Sequence, residues 1–379
     1  METKAEIKNR LAALRQKMEA CHLSAFIVPS TDPHSGEYVP EHWETRKWIT
    51  GFTGSAGTAV ITLNDAGLWT DSRYFIQAEE QLEDTGIRLF KDRLPDTPSI
   101  AGWLGSILKE GDKVGIDGWV NSHQEAQSLR NELSESGLEL ITMTEDIFDT
   151  IWEDRPSLPK TPVFILDETR TGASCTEKIG RIQESIAKNG ASAIILSALD
   201  EIAWTLNLRG SDVHCNPVFI SYLLISKEGH TLYILEDKIT DEVRIYLKEH
   251  QVGIKTYPAL AEDIRTFKEK HQGVLQISPL ANEALYDLSS KYADTLIAPS
   301  PVALMKAVKN ETEQAGFRKA MERDGVALVK FLRWLEEAVP AGNESELSID
   351  KKLYELRAEQ AHFKGISFDT IAEIGRAHV

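Results

Sequence analysis

Ile7, Leu11, Leu14 and Met18 recur at four- and three-residue steps with polar or alanine residues between them, the spacing of one face of an α-helix. "SAFIVPS" follows as a short apolar run and predicts a buried strand. "GTAVITLNDAGLWTDSRYF" predicts two strands joined around Asn64, Asp65, Ala66 and Gly67. "IQAEEQLEDTG" is helical, "DKVGIDG" a strand, "NSHQEAQSLRNELSESG" a helix and "LELITM" a strand. Strands alternating with helices predict an α/β domain.

"EDRPSLPKTP" then places Pro156, Pro159 and Pro162 close together, where the missing N–H donors exclude helix, and predicts an interdomain linker. The alternation restarts with strand "VFILD", helix "CTEKIGRIQESIAKNG", strand "AIILSA", helix "LDEIAWTLNL" and strands "VFISYLLIS" and "HTLYILED". A second break falls at Pro299 and Pro301. The remainder is helical: Asn310 with Glu313 resembles a capping box, and Phe317, Met321, Leu328, Phe331, Leu332 and Leu335 supply an apolar face. "SIDKKLYELRAEQAHF" predicts another helix and "ISFDTIA" a strand.

The two α/β halves echo one another. "WITGFTGS" and "WTLNLRGS" align Trp48 with Trp204 and Ser55 with Ser211, both offset by 156 residues (204 − 48 and 211 − 55). Each block precedes a two-stranded segment with a turn, which predicts a duplicated domain.

Composition narrows the classes. No apolar run reaches the roughly 18–20 residues that span a bilayer, and the charged N-terminus has no apolar centre of a signal peptide, so a cytoplasmic protein is expected. A net charge of −17 opposes non-specific binding to nucleic acid. Cys21, Cys175 and Cys215 stand far apart and are expected to be buried free thiols.

Several stretches carry candidate chemistry. His34, Glu37, Glu41 and His42 crowd "HSGEYVPEHWE", but Pro33 and Pro40 bracket them, so no helix sets them on one face and a polar surface loop is expected. Ser55 in "FTGSAG" resembles a nucleophile elbow only loosely, because the elbow turns from strand to helix and this stretch runs from helix to strand. Asp200 is expected at an N-cap, Glu201 in the first helical turn, and Arg209 paired with Asp212. Arg73 in "WTDSRYF" stands among Trp69, Tyr74 and Phe75. Pairing with a carboxylate inside the domain and reaching across an interface to a ligand are both open for it.

"AFIVPSTDPHSGEYVPEHWETRKWITGFTGSAGTAVITLNDAGLWTDSRYF" and "SALDEIAWTLNLRGSDVHCNPVFISYLLIS" resemble the three-domain form of aminopeptidase P, the Xaa-Pro aminopeptidases. "RDGVALVKFLRWLEE" and "FKGISFDTIA" continue the resemblance. It implies two tandem creatinase-type N-terminal α/β domains, with mixed sheets flanked by helices, over 1–155 and 156–302. The beginning of a pita-bread α+β catalytic domain follows over 303–372. It also implies a cytosolic homodimer that releases the first residue of Xaa-Pro peptides, with neither nucleic acid nor membrane as partner. Two divalent ions, typically manganese, would be held by two aspartates, one histidine and two glutamates. An Xaa–Pro bond is a tertiary amide without N–H, which general aminopeptidases bind poorly. Two metals bind the free amine, polarise the carbonyl and supply hydroxide near neutral pH.

In that family the metal ligands lie C-terminal to "FDTIA", so no catalytic or metal-binding residue, and no bound metal, is expected within this chain. Arg73 alone carries over as a substrate-binding residue, acting across the dimer. "EIGRAHV" resembles the in-frame translation of a sequencing adapter. Residues 373–379 are therefore expected to be read-through, His378 not a ligand, and the chain a fragment inactive by itself. A non-catalytic dimerisation module is the alternative. Prolidase and creatine amidinohydrolase relatives have one N-terminal domain, and the duplication argues against them.

Overall fold

A computed structural model describes residues 3–371. The segment 373–379, His378 included, lies outside the described residues. Thr3 opens the first helix, Lys4–Ala20, through a reciprocal cap with Glu6, and Ile7, Leu11, Leu14 and Met18 are its buried residues.

Among the described residues the chain builds two six-stranded sheets. The first contains β1 (Ala25–Val28), β2 (Thr58–Thr62), β3 (Ala66–Thr70), β4 (Arg88–Lys91), β5 (Lys113–Asp117) and β6 (Glu139–Met143), in the order β4-β3-β2-β1-β5-β6. β1 is buried along its whole length. Its alternate side chains serve two layers: Phe26 and Val28 pack against the first helix, while Ala25 and Ile27 join Trp69, Phe90, Trp103 and Leu104.

A two-residue strand β7 (Phe164–Ile165) follows the linker and pairs with β9 (Leu208–Arg209). β8 (Ala191–Leu196), β10 (Ser221–Ser226), β11 (His230–Ile234), β12 (Val252–Thr256), β13 (Val274–Ile277) and β14 (Asp294–Ile297) form the second sheet, in the order β12-β11-β10-β8-β13-β14. Strand directions repeat as well. β1 and β8 each pair antiparallel with the following hairpin and parallel with a later strand.

The predicted repeat is therefore a repeat of topology. Trp48 and Trp204 are both buried in the helix ahead of the hairpin, Thr45–Thr50 and Leu199–Leu206 respectively. Each also receives a cation from a helix earlier in its own half. Arg10 lies 4.8 Å over Trp48 and donates to its carbonyl at 2.6 Å. Lys178 lies 4.3 Å over Trp204 and donates to its carbonyl at 2.9 Å.

The halves meet through equivalent elements. Ser122 caps helix His123–Ser134, Asn282 caps helix Glu283–Tyr292, and the two caps face each other as an antiparallel bridge. The His123 N–H donates to the Ala281 carbonyl and the Glu283 N–H to the Asn121 carbonyl, both at 2.8 Å. This reciprocity is a local pseudo-two-fold. His34 enters the junction, and the expectation of a polar surface loop fails there. His34 is buried, its Nδ1–H donates to the Ser197 carbonyl at 2.8 Å, and its Nε2 accepts from the Tyr257 hydroxyl at 2.9 Å. Burial holds its pKa below the ordinary value, consistent with a neutral ring.

After Pro301, at the first position of helix Pro301–Ala307, comes the long helix Glu311–Ala338, opened by the Asn310–Glu313 capping box. Ala327 and Phe331 pack against Leu353 and Leu356 of helix Glu346–Ala358, while Phe317, Met321 and Leu332 face solvent. The strand expected in "ISFDTIA" is not formed over residues 366–371, which pair with no strand among the described residues, and Asp369 contacts His214. Among the described residues no helix is long and apolar enough to cross a membrane.

Candidate functional site

Arg73 follows β3 in a single turn, Ser72–Tyr74, that Asp71 caps. The Asp71 carboxylate accepts the Arg73 backbone N–H at 3.1 Å, Nε at 2.9 Å and Nη2 at 2.8 Å. These charge-assisted bonds hold Asp71 below the usual carboxylate range and raise the guanidinium further. The Arg73 side chain is nevertheless 63% exposed. Its guanidinium lies 5.1 Å over the Tyr74 ring. The group is thus oriented from within its domain while its outer face stays free for an anion.

Beneath it, the Tyr74 hydroxyl and Ser55 Oγ are 2.6 Å apart. A phenol stands where a triad would need an imidazole, so the geometry lends Ser55 no nucleophilic role. Gly54 is dictated by space: a Cβ there would lie 2.3 Å from the Phe52 ring and 2.8 Å from the Tyr74 ring. Arg46, buried, ties this loop through the Phe52 and Gly54 carbonyls and Ser30 Oγ, and burial brings its pKa down to about 10.

A cavity of about 230 Å³ adjoins the loop, lined by Ser55, Arg46, Tyr38 and His214 among others. His214 Nε2 is 3.0 Å from Asp369 Oδ1. The ligand atoms of His214, Cys215 and Asp369 lie within 4.8 Å of one another, and among the described residues this is the only such trio. It does not fit the dinuclear set implied above. It offers one thiol, one imidazole and one carboxylate where an oxygen-rich site with several carboxylates is required. Burial and the neighbouring Asp369 also raise the Cys215 thiol, which favours the protonated form over a ligand thiolate. No catalytic step is routed through these groups.

The other sequence candidates are separated. His42 Nδ1 donates to the Pro156 carbonyl at 2.7 Å. Asp200 is not a cap, since Ala198 occupies that place, and it pairs with Lys306. Glu201, in the first turn as expected, accepts from Ser300 at 2.6 Å, and burial raises its pKa. The expected Arg209–Asp212 pair is absent. Arg209 donates to the Ala203 and Leu208 carbonyls, and Asp212 instead neutralises the fully buried Lys238. Cys175 is buried, whereas Cys21 is exposed and Cys215 partly so, against the expectation for all three. Local spacing gave no hint of Lys238 or Asp117; the one signal was a charged residue inside or just beyond an apolar strand.

Both halves match models of the creatinase/prolidase N-terminal domain, residues 10–151 and residues 154–313. The "Probable Xaa-Pro aminopeptidase P" of Neurospora crassa is 39% identical over 381 residues, covering 97% of this chain. "Xaa-Pro aminopeptidase 1" of Dictyostelium discoideum is 39% identical over 384 residues, covering 98%. The chain belongs to the Xaa-Pro aminopeptidase family. The crystal structure of the Caenorhabditis elegans X-prolyl aminopeptidase, described as a cytosolic enzyme with a di-nuclear active site, superposes over 98% of the chain with a TM-score of 0.89 at 30% identity. The chain spans only 55% of the Neurospora relative, 60% of the Dictyostelium relative and 62% of the nematode chain. Within the Xaa-Pro aminopeptidase family, then, the described residues account for the tandem α/β domains and the helices that follow them.

Proposed function

We propose that this chain serves Xaa-Pro aminopeptidase chemistry, the release of the first residue from peptides with proline in second place, on peptides bound by a homodimer. Two divalent ions, manganese, would supply the polarised carbonyl and the hydroxide. Their ligands are not among the described residues, which contribute the two α/β domains and Arg73. In this reading Arg73 reaches a carboxylate of the substrate bound by the partner copy, and the chain by itself releases nothing. The observation that carries the proposal is the superposition over 98% of the chain on a di-nuclear X-prolyl aminopeptidase. The exposed, Asp71-oriented guanidinium supports the role of Arg73.

The test is a chimera continuing this chain with the remaining residues of the nematode enzyme, assayed on Ala-Pro-Ala and Ala-Ala-Ala with manganese. Alanine release from the proline peptide alone, abolished by chelator, is expected. A folded, metal-loaded chimera that cleaves both peptides equally, or neither, defeats the proposal. In the same chimera Arg73→Ala should raise KM by about 10- to 100-fold, the loss of a charge-assisted contact. The melting temperature should not move, because the side chain is exposed. An unchanged KM removes Arg73 from the substrate site.

A further inference from the structure

A partly open cavity of about 290 Å³ lies between the two halves, and Arg73 is not part of its lining. From the first half come Trp43, Trp119, Asp117 and Asp146; from the second come Tyr222 and Tyr257, with leucine and isoleucine side chains behind them. The two tyrosine rings stack 5.2 Å apart. Their hydroxyls are engaged by Asn282 and His34, which leaves the rings as wall.

The charges in this wall are all negative. Asp146 is already matched by Arg155. Asp117 is not: its carboxylate accepts the Trp119 N–H at 2.8 Å, and no cation pairs with it among the described residues. A buried acid without a counter-ion on an aromatic wall is complementary to a cation that brings its own apolar body.

We propose that this interdomain cavity binds a small organic ammonium ion of roughly ten non-hydrogen atoms, its charge against Asp117 and its body between the indole and phenol rings. Burial and the neighbouring Asp146 push Asp117 up to about 7, with Arg155 opposing. His42 stands beside Arg155 and Asp146, and Tyr222 and Tyr257 face the cavity from the other half. Below that pH Asp117 holds its proton and the ligand charge goes unmatched. Affinity should therefore fall about tenfold for each pH unit below 7 and level off above it.

Calorimetric titration of the full chain with 2-phenylethylammonium, against the neutral 2-phenylethanol, tests this without any variant. The amine should bind one site at about pH 8, and the alcohol about tenfold or more weakly. Asp117→Asn, which keeps an acceptor for the Trp119 N–H, should cost the amine about tenfold or more and leave the alcohol unchanged. Leu288→Trp, which fills the cavity, should abolish both. Equal binding of amine and alcohol overturns the proposal. So does amine binding indifferent to both substitutions, or no heat at about 10 mM amine. The outcome is independent of peptidase activity, because the chimera assay reads a different face.

Discussion

Asp117 makes the cost of a buried carboxyl measurable. Its pKa of about 7 in the folded chain lies above the ordinary 3.8, so between those values the folded state keeps a proton that the unfolded state has released. Stability from this group is complete below about pH 4 and is lost as pH rises towards 7. Relative to Asp117→Asn, the wild type should therefore weaken by on the order of a few kcal/mol across that window and stay level above it. Urea denaturation of both proteins at three pH values checks the sign, and parallel curves would show that Asp117 is not the titrating group. Asp212 is a buried carboxylate with its cation in place. It is buried with Lys238 and also accepts from Thr161 and the Ile220 N–H. Asp212→Ala should cost about 3–5 kcal/mol, because a fully buried ammonium is left unpaired; a loss below about 1 kcal/mol in urea would refute that. The sequence invites pairing Asp212 with Arg209, three residues away. The true partner is 26 residues along the chain, and no local spacing encodes a contact that only the folded sheet creates.

Elements were legible where their signal is local. The four apolar residues of the first helix, the two strands after Gly57 and the Asn310–Glu313 cap all follow from period and end chemistry, and the structure has them. "ISFDTIA" shows the limit: an apolar stretch becomes a strand only with a partner ladder. The junction was illegible for the same reason. Ser122 and Asn282 look like ordinary N-caps, and only the fold makes them opposite each other. Their consequences should differ. Ser122→Ala removes a cap worth about 1 kcal/mol. Asn282→Ala removes a cap and also the buried amide that donates to the Pro33 carbonyl at 3.0 Å and the Tyr222 hydroxyl at 2.9 Å. It should cost about 2–4 kcal/mol, adding the price of unsatisfied buried groups. Equal losses in chemical denaturation would mean that Asn282 acts only on its own helix.

At the scale of the whole molecule, two forces of opposite sign act on association. The net charge of −17 repels copies of the chain over a Debye length. Against it stands the outer face of helix Glu311–Ala338, where Phe317, Met321, Val329 and Leu332 are each more than half exposed, together with Leu347 beyond it. Their spacing of four, eight and three residues keeps them on one side of the helix, an exposed apolar stripe of the kind monomers seldom leave uncovered. The repulsion is screened by salt and the apolar attraction is not. Sedimentation velocity of this chain should therefore show self-association that rises with concentration and rises again as salt is added. The double substitution Met321→Glu and Leu332→Glu should abolish both trends. Ile76→Lys, at an exposed apolar position on the first domain, should leave them unchanged. If salt instead dissolves the assemblies, ionic contacts hold them together and the helix face is not what the copies share.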